Sequence, residues 1–359
     1  MSGNYPHHMI KEIFEEPEVL RNTIRLERDR IRELSSKIIS ENYEMLYITG
    51  SGTSYHAGLA GQYALSNLVE IIALTLSASE FHQWIPQKIP RKTLLMAISQ
   101  SGESSDVIKA VDAALQRHIE LLAVTNTLDS TLAKKANFCI FPRSGRELAI
   151  PATKTYIAQL MAIYMFSINL ALEKGKDHGL SEMEESLYKA PRIVKLALES
   201  LKSKVQETAN KFKDKNAVFL LGSGPNYVTA LEGALKLKET CKIFSEGFAT
   251  REFLHGPMRL VDEKTIVVVM TSSDMIEDAV KLSRSFKSFG ASVIIISEKS
   301  HRVEQLVSDV NEAFLLPEGM PQPFSPLLYI LPLQLFAYYM SVSKGLNPDK
   351  PEKLVKVVR

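Results

Sequence analysis

The chain has 359 residues, which is too many for one ordinary hydrophobic core and predicts two domains of typical size. Apolar residues make up 45% and charged residues 23% of the sequence, as in an average globular protein. The formal net charge is +2, and no basic run with interleaved aromatic residues occurs, so neither a nucleic-acid partner nor a membrane-surface partner is indicated. We expect no membrane-spanning segment and, because the first 16 residues include acidic side chains without an apolar core, no signal peptide.

The two cysteines and the histidines do not indicate a metal centre. Cys139 and Cys241 are far apart in sequence and lie in apolar or helical surroundings, so we interpret them as reduced thiols of a cytoplasmic protein. The eight histidines show no metal-ligand spacing. We therefore expect neither a disulfide framework nor a metal site.

Residues 9–40 are rich in charge and carry apolar residues at helical spacing, so this segment is predicted to be a helix. Short apolar strands alternating with helices follow, a pattern that predicts βαβ units and a parallel sheet. The strands of this first set are predicted at 45–48, 94–98, 121–124 and 138–141, and its helices at 55–68 and 105–116.

The same pattern then recurs. The second set of strands is predicted at 217–221, 266–270, 293–296 and 313–316. A Gly-Ser-Gly signal follows the first strand of each set, at Gly50 and at Gly222, which indicates a duplicated α/β domain. A helical connector over 153–212 joins the halves, and a polar tail follows Gly345. The predicted division is 1–40 (N-terminal helix), 41–200 (first domain with connector helices), 201–345 (second domain) and 346–359 (tail).

The first chemistry-bearing stretch is the loop Ser99–Ser104, with the sequence Ser-Gln-Ser-Gly-Glu-Ser. It follows a strand and opens a helix, where backbone N–H groups are unsatisfied and carry partial positive charge. Hydroxyl groups beside them add donors, so the loop favours a phosphate group. A plain serine-rich helix cap is the alternative. Thr53 and Ser54 follow the preceding strand and are expected at the same edge of the sheet, where α/β proteins bind ligands.

The Gly50-Ser51-Gly52 turn resembles the start of a dinucleotide-binding fingerprint. Position 55 is Tyr where that fingerprint needs its third glycine, and no acidic residue follows a second strand at the expected place. The nucleotide interpretation is therefore disfavoured.

The second stretch is the predicted helix that contains Glu232, Lys236 and Glu239, which share one face through their spacing. The simple interpretation is a solvated face with an ion pair. The functional one is an ammonium group that polarises a substrate oxygen while Glu239 transfers a proton.

Two single residues complete the set. His255 precedes Gly-Pro in a predicted turn, where it is either a surface histidine or an acid/base that opens a sugar ring, since imidazole titrates near neutral pH. Lys356, by itself, is an ordinary tail lysine.

Taken together, these residues resemble one family, the isomerase half of glucosamine-6-phosphate synthase, which is built from two sugar-isomerase (SIS) domains. The resemblance implies two tandem doubly wound parallel-sheet domains of flavodoxin-like α/β type, with an N-terminal helix and a C-terminal tail. The matching stretches are 5–13, 52–55, 98–103, 152–154, 230–239, 255–257, 332–335 and the tail to Lys356.

The resemblance also implies roles. Glu239 would move a proton between C1 and C2 of fructose 6-phosphate, supported by Glu232 and Lys236. His255 would open the sugar ring from a neighbouring subunit, which implies a homodimer. Lys356 would form a Schiff base with the ketose carbonyl. No cofactor is implied. The residues implied to bind the phosphate and adjoining hydroxyl groups are Thr53, Ser54, Ser99, Gln100, Ser101 and Ser104. Ile150 is expected as a further substrate-binding residue.

Three functions remain open. The first is an enzyme that makes glucosamine 6-phosphate from fructose 6-phosphate with external ammonia, or isomerises the latter to glucose 6-phosphate. Neither cysteine lies near the start of the chain, so we expect no glutamine hydrolysis by this chain and consider a separate glutaminase partner. The second function is the reverse reaction, glucosamine-6-phosphate deamination. The third is a non-catalytic sugar-phosphate sensor, which the acid/base helix and the lysine tail disfavour.

Overall fold

A computed structural model describes residues 5–175 and 179–358. Within them lie two five-stranded sheets in which every pair of neighbouring strands is parallel. The strands of the first sheet are β1 (Met45–Gly50), β2 (Ile72–Ser77), β3 (Thr93–Ile98), β4 (Glu120–Val124) and β5 (Phe138–Ile140). Those of the second are β6 (Ala217–Gly222), β7 (Phe244–Ala249), β8 (Thr265–Met270), β9 (Ser292–Glu298) and β10 (Glu312–Leu316).

The two sheets have the same topology. The first has the strand order β2-β1-β3-β4-β5, and the second, counted from β7, has the order β7-β6-β8-β9-β10. Both are the 2-1-3-4-5 order of flavodoxin-like doubly wound folds, in which ligands bind at the carboxyl ends of the strands. The predicted fold class, a duplicated α/β domain with parallel sheets, is confirmed.

Helices separate the strands and flank the sheets. They are α1 (His8–Ser40), α2 (Thr53–Ala64), α3 (Phe81–Trp84), α4 (Ser105–Leu115), α5 (Thr131–Lys135), α6 (Lys154–Glu173), α7 (Leu180–Tyr188), α8 (Ala190–Phe212), α9 (Pro225–Cys241), α10 (Ile276–Ser288), α11 (His301–Leu306) and α12 (Pro326–Ser343). The N-terminal helix and the helical connector are therefore present as predicted. Residues 1–4, 176–178 and 359, which fall within the predicted N-terminal segment, connector and tail, lie outside the described residues.

The chain divides into two compact units, each with one sheet. The β1–β5 unit contains Glu15–Glu147, Lys154–Pro191 and Val355–Arg359. The β6–β10 unit contains Met1–Phe14, Leu148–Thr153 and Arg192–Leu354. Each unit thus combines one sheet with segments that are distant in sequence, and the last residues of the chain belong to the unit of the first sheet.

Two edge strands, β2 and β7, were not predicted from the sequence. Each pairs with only one neighbour, so its outer edge is not covered by another strand. Ile72 of β2 is 70% exposed, and β7 contains Glu246 and Gly247, so neither segment has the continuous apolar character of the central strands. Position 247 requires a glycine, because a Cβ atom there would lie 2.5 Å from the carbonyl carbon of Ala230 in α9.

Among the described residues, two helices qualify by length and apolar composition as membrane spans, Lys154–Glu173 and Gln322–Ser343. In each helix, 94% of the most apolar 18-residue stretch is buried within the protein. Such burial is typical of central helices in a folded core. These helices pack in the interior and supply much of its apolar surface, including Tyr164 and Tyr329.

Candidate active site

The Ser99–Ser104 loop leaves the carboxyl end of β3 and leads into α4, as the sequence predicts. Its internal hydrogen bonds give it a defined shape. The Ser99 hydroxyl accepts the amide of Gly102 at 3.1 Å, and the Ser101 hydroxyl accepts the amide of Glu103 at 3.1 Å. Gly102 has a φ of 68°, and a Cβ atom there would lie 2.2 Å from the Ser130 hydroxyl oxygen. Only glycine fits this position of the loop without displacement of its neighbours.

The loop retains hydrogen-bond donors. Within residues 5–175 and 179–358, the amides of Gln100, Ser101 and Ser104 have no hydrogen-bond acceptor. The Ser104 side chain occupies the cap position of α4 but does not cap the helix. Backbone donors at a helix N-terminus, combined with adjacent hydroxyls, are suited to an anion such as phosphate. The loop therefore has the donor arrangement that the sequence predicts.

Thr53 and Ser54 lie in the first turn of α2, directly after β1. Because β1 and β3 are neighbouring parallel strands, this turn and the Ser99–Ser104 loop leave the same edge of the sheet. The side-chain amide of Gln159 donates to the Ser54 hydroxyl at 3.0 Å, which fixes the position of that hydroxyl. Gln159, which the sequence interpretation did not include, is 2% exposed.

Lys356 lies in the same unit and is held by a buried carboxylate. Its Nζ donates to Oε2 of Glu147 at 2.6 Å. The Glu147 side chain is fully buried, whereas that of Lys356 is 27% exposed. Glu147 also accepts the amide of Thr155 at 3.1 Å and its hydroxyl at 2.7 Å. The carboxylate thus has a fixed orientation, and it places the amine.

The tail that carries Lys356 reaches the Ser99–Ser104 loop. The amide of Ser105, the first residue of α4, donates to the carbonyl oxygen of Val358 at 3.4 Å. The structure therefore brings together two predicted motifs that are more than 250 positions apart in the printed sequence. The sequence does not predict a role for Glu147. It is an acidic residue beside the apolar segment that starts at Leu148, and such residues are common.

The β6–β10 unit contains the predicted acid/base helix, α9. The Lys236 side chain is fully buried and its Nζ lies 3.3 Å from Oε1 of Glu232 and 2.6 Å from Oε2 of Glu239. The Glu232 side chain is 1% exposed and that of Glu239 is 20% exposed. The alternative interpretation, a solvated helix face, is therefore wrong. Buried charges are costly unless they are paired, so this ion triad is a specific feature of the helix.

The two carboxylates determine the charge state of Lys236. Burial by itself lowers the pKa of the amine, but the nearby Glu232 and Glu239 carboxylates outweigh this effect and hold the pKa of Lys236 above its ordinary value. The amine is therefore cationic at neutral pH. Of the three side chains, that of Glu239 is the most exposed.

His255 follows a single helical turn, Glu252–Leu254, and precedes Gly256, which has a φ of 136°. The turn is anchored by the fully buried ring of Phe253, whose centroid lies 5.1 Å from that of Phe219. The imidazole is exposed and makes no hydrogen bond or ion pair among the residues that the structure describes. His255 is thus a solvent-facing imidazole on a firmly packed turn.

Ile150 lies in the segment Leu148–Thr153 of the same unit. Its amide donates to the carbonyl oxygen of Asp349 at 2.9 Å, and the Asp349 carboxylate accepts the amides of His8 and Met9 at 2.8 and 2.7 Å. These hydrogen bonds connect the backbone of Ile150, through Asp349, to the first residues of α1. In the described parts of the chain, no group of three or more His, Cys, Asp or Glu residues is arranged to hold a metal ion.

Comparison with protein families matches the SIS domain to residues 38–169 and 211–344. A glutamine–fructose-6-phosphate aminotransferase (isomerizing) from Thermococcus kodakarensis is 36% identical over 359 residues, which cover 99% of this chain and 58% of that protein. The enzyme of the same name from Clostridium tetani is 36% identical over 365 residues, with 99% and 59% covered. The chain therefore spans somewhat more than half the length of these relatives.

Solved structures show the same similarity. The C-terminal domain of glucosamine-fructose-6-phosphate aminotransferase from Francisella tularensis has a TM-score of 0.89 and 26% identity, with 97% of this chain and 99% of that one covered. A glucosamine-6-phosphate deaminase from Thermotoga maritima shares the fold, with a TM-score of 0.77, 24% identity and coverage of 98% and 99%. Because the family match includes both sheets and the loops described above, the chain belongs to the SIS domain family and carries two copies of that domain.

Proposed function

We propose that this chain converts fructose 6-phosphate and ammonia into glucosamine 6-phosphate and water, through a Schiff base and a proton transfer between C1 and C2. The names of the relatives from Thermococcus kodakarensis and Clostridium tetani support this substrate class. The observation that carries the proposal is the amine of Lys356, held by buried Glu147 on a tail that contacts the start of α4.

The Ser99–Ser104 loop would bind the phosphate group. Its donor amides and the hydroxyls of Ser99, Ser101 and Ser104 suit a dianion, and the side chain of Gln100 adds a further donor. Thr53 and Ser54 would add hydroxyl contacts from the neighbouring strand end. Ile150 would contribute an apolar or backbone contact to the sugar.

Lys356 would act as the nucleophile. Its neutral amine attacks C2 of the open-chain ketose, the C2 oxygen leaves as water, and an imine forms. Ammonia then displaces the Lys356 amine from C2. The ammonia nitrogen stays on the sugar, and free Lys356 is regenerated. The ammonium form cannot attack, so a proton must first leave Nζ. The Glu147 carboxylate contacts that atom, and we propose that it positions the amine and accepts its proton.

Glu239 would transfer the proton. It removes a proton from C1 and returns it to C2, which converts the ketose imine into the 2-amino aldose. Lys236 would stabilise the negative charge that develops on the substrate oxygen, and buried Glu232 would keep Lys236 in place. His255 would open the sugar ring by general acid/base catalysis, since its imidazole is exposed and open to a ligand.

The same groups would also support the reverse reaction, the release of ammonia from glucosamine 6-phosphate, and the isomerisation of fructose 6-phosphate to glucose 6-phosphate. Three assays on one preparation separate these activities. They are synthesis with ammonium salts, synthesis with glutamine, and ammonia release from glucosamine 6-phosphate. Ammonia-dependent synthesis without any glutamine-dependent synthesis supports the proposal for this chain alone. Ammonia release that greatly exceeds synthesis would make deamination the function. Inactivity in all three, together with no conversion of fructose 6-phosphate to glucose 6-phosphate, would refute an enzymatic role.

We further propose a homodimer in which His255 acts on the substrate of the neighbouring subunit, and a separate glutaminase as a source of ammonia. A mixing experiment tests the dimer. His255→Ala and Glu239→Gln variants are each expected to be nearly inactive, whereas their mixture after subunit exchange should regain activity if the two residues act across subunits. A mixture as inactive as its parts, with subunit exchange verified, would place His255 and Glu239 in the same subunit. If a separate glutaminase can deliver ammonia to this chain, addition of a glutaminase should permit glutamine-dependent synthesis.

A further inference from the structure

A cavity of about 620 Å³ opens at the carboxyl edge of the second sheet, where β6 and β8 end. This volume falls within the range of small-molecule sites in proteins, roughly 300–1,000 Å³. Polar residues from both strand ends line it, among them Ser223, Asn226, Thr271 and Ser272. None of the residues assigned above to the proposed reaction lines this cavity. It is therefore a second concave site, within the β6–β10 unit.

The backbone around the cavity repeats that of the first sheet. Gly224, which precedes α9, has φ 56° and ψ −131°, and Gly52, which precedes α2, has φ 55° and ψ −125°. The turn after the first strand is thus nearly identical in the two repeats. The segment after β8 likewise carries hydroxyls before a helix, with Ser272 in an extended conformation, as Ser104 is before α4. The second unit therefore has a strand edge with donors similar to that of the first.

One polar group of the cavity lacks a partner. Asn226 is 8% exposed and lines the cavity, and its side-chain oxygen accepts the Thr229 hydroxyl at 3.1 Å. Its side-chain NH₂ group donates to no acceptor among the described residues. A donor that lines a cavity can bind water or an acceptor of a ligand there. This donor is thus available to an acceptor bound in the cavity.

The charges of the lining favour an anion with hydroxyl groups. Arg251 lines the cavity and forms no ion pair with any residue of the described chain. The acidic lining residue, Asp278, has a side chain that is 72% exposed and lies 3.7 Å from Lys281, so its charge is at the solvent side and is partly offset. An arginine, several hydroxyls and an amide donor suit a phosphate group. A carboxylate at the rim is suited to accept hydroxyl protons.

We propose that this cavity is a second ligand site, which binds a phosphate monoester of a small polyhydroxylated molecule, with the phosphate on Arg251, Asn226 and the Ser272 region. The proposal is independent of the reaction proposed above, because it rests on residues that take no part in it. A ligand here would contact the N-terminal end of α9, the helix that carries Glu232 about two turns further along.

Equilibrium binding of inorganic phosphate and of fructose 6-phosphate to the full chain tests the proposal. We expect two phosphate ligands per chain. Arg251→Gln should weaken one of the two sites by at least about tenfold, since a hydrogen bond to a charged group contributes that much or more. The matched control is Arg259→Gln, because Arg259 is also exposed and nearby in sequence but does not line the cavity. It should leave both sites unchanged, and thermal unfolding should show that each variant is folded.

A double variant of the first unit, Ser101→Ala with Ser104→Ala, separates the two sites. It should weaken only the site that Arg251→Gln leaves intact. Saturation at one ligand per chain, with affinity unaffected by Arg251→Gln, would overturn the second site and leave the proposed function standing. Loss of affinity in Arg251→Gln but none in the double serine variant would support the second site and contradict the phosphate role of the Ser99–Ser104 loop.

Discussion

The amine of Lys356 lies 2.6 Å from the carboxylate of Glu147, which is fully buried. A lysine near the end of a chain is ordinarily a mobile, solvated group, and an exposed ion pair contributes little to stability. Here the carboxylate is also fixed by two hydrogen bonds from Thr155, so the amine is held in one place. The tail lysine therefore has a positioned amine in the β1–β5 unit.

Glu147→Gln should slow imine formation at Lys356 by roughly ten- to a hundredfold. Glutamine can accept only one of the two Thr155 hydrogen bonds, since these go to different oxygens of the carboxylate. It neither pairs with the ammonium group nor accepts its proton, and hydrogen bonds to charged groups are worth about 1.5–3 kcal/mol. Single-turnover reduction of the imine measures the rate. Thr155→Val, which removes one orienting hydrogen bond, should have a smaller effect of the same sign. An unchanged rate in Glu147→Gln, with phosphate affinity also unchanged, would remove Glu147 from the reaction.

Lys236→Met should destabilise the protein by about 3–5 kcal/mol, because it removes the ammonium group that pairs with the buried Glu232 carboxylate. Lys238→Met is the matched control, since Lys238 is on the same helix and pairs with Glu246 at 3.6 Å on the surface. That variant should lose no more than about 1 kcal/mol. Urea unfolding of both variants measures the difference, and equal losses would show that the buried pair has no special contribution.

The stability that Lys236 contributes should depend on pH at the alkaline end. The pKa of Lys236 in the folded protein is raised above its value in the unfolded chain, where lysine titrates near about 10.4. Its contribution is therefore complete below that pH and is lost as the pH rises toward the folded value. The difference in unfolding free energy between wild type and Lys236→Met should be constant from about pH 7 to 9.5 and should shrink above about pH 10.5. A difference that shrinks as the pH falls from 9.5 to 7 would contradict this sign.

Gly102→Ala should weaken binding of fructose 6-phosphate at least about tenfold, because the added Cβ displaces a loop whose amides bind the phosphate. Gly145→Ala is a matched control, since Gly145 has nearly the same φ, 67°, with nothing within 4 Å of the added atom. Both variants should lose roughly 1–2 kcal/mol of stability from the left-handed backbone. Only Gly102→Ala should lose further stability and bind fructose 6-phosphate poorly. Equal affinities for fructose 6-phosphate in the two variants would argue against the loop as the phosphate site.

Glu239→Gln should retain sugar-phosphate binding while turnover falls by roughly 10²–10⁴-fold, the usual contribution of a general acid/base. Glutamine preserves the shape of the side chain but cannot take up the proton. Glu246→Gln, a surface carboxylate of the same unit, should turn over as wild type does. Exchange of the C1 hydrogen with solvent deuterium provides an independent readout. Unchanged exchange in Glu239→Gln would assign the proton transfer to another group.

The sequence was sufficient for the fold class, because apolar strands, Gly-Ser-Gly turns and helical segments recur in the same order in both halves. It was insufficient for the edge strands β2 and β7, whose half-exposed residues lack the continuous apolar pattern of central strands. The spacing of Glu232, Lys236 and Glu239 predicts a shared helix face but not its burial, since exposed and buried ion pairs have the same spacing. Glu147 and Gln159 could not be predicted, because their roles depend on contacts with residues distant in sequence.

The most direct test of the central claim is borohydride reduction in the presence of fructose 6-phosphate, followed by tryptic peptide mapping. Trypsin does not cleave after an alkylated lysine, so a label on Lys356 should appear on the peptide 354–359 with its internal lysine intact. We expect this labelled peptide in wild type, its absence in Lys356→Met, and its persistence in Lys350→Met, which changes a nearby tail lysine. A label on any other lysine, or equal labelling of Lys356→Met, would refute a Schiff base at Lys356.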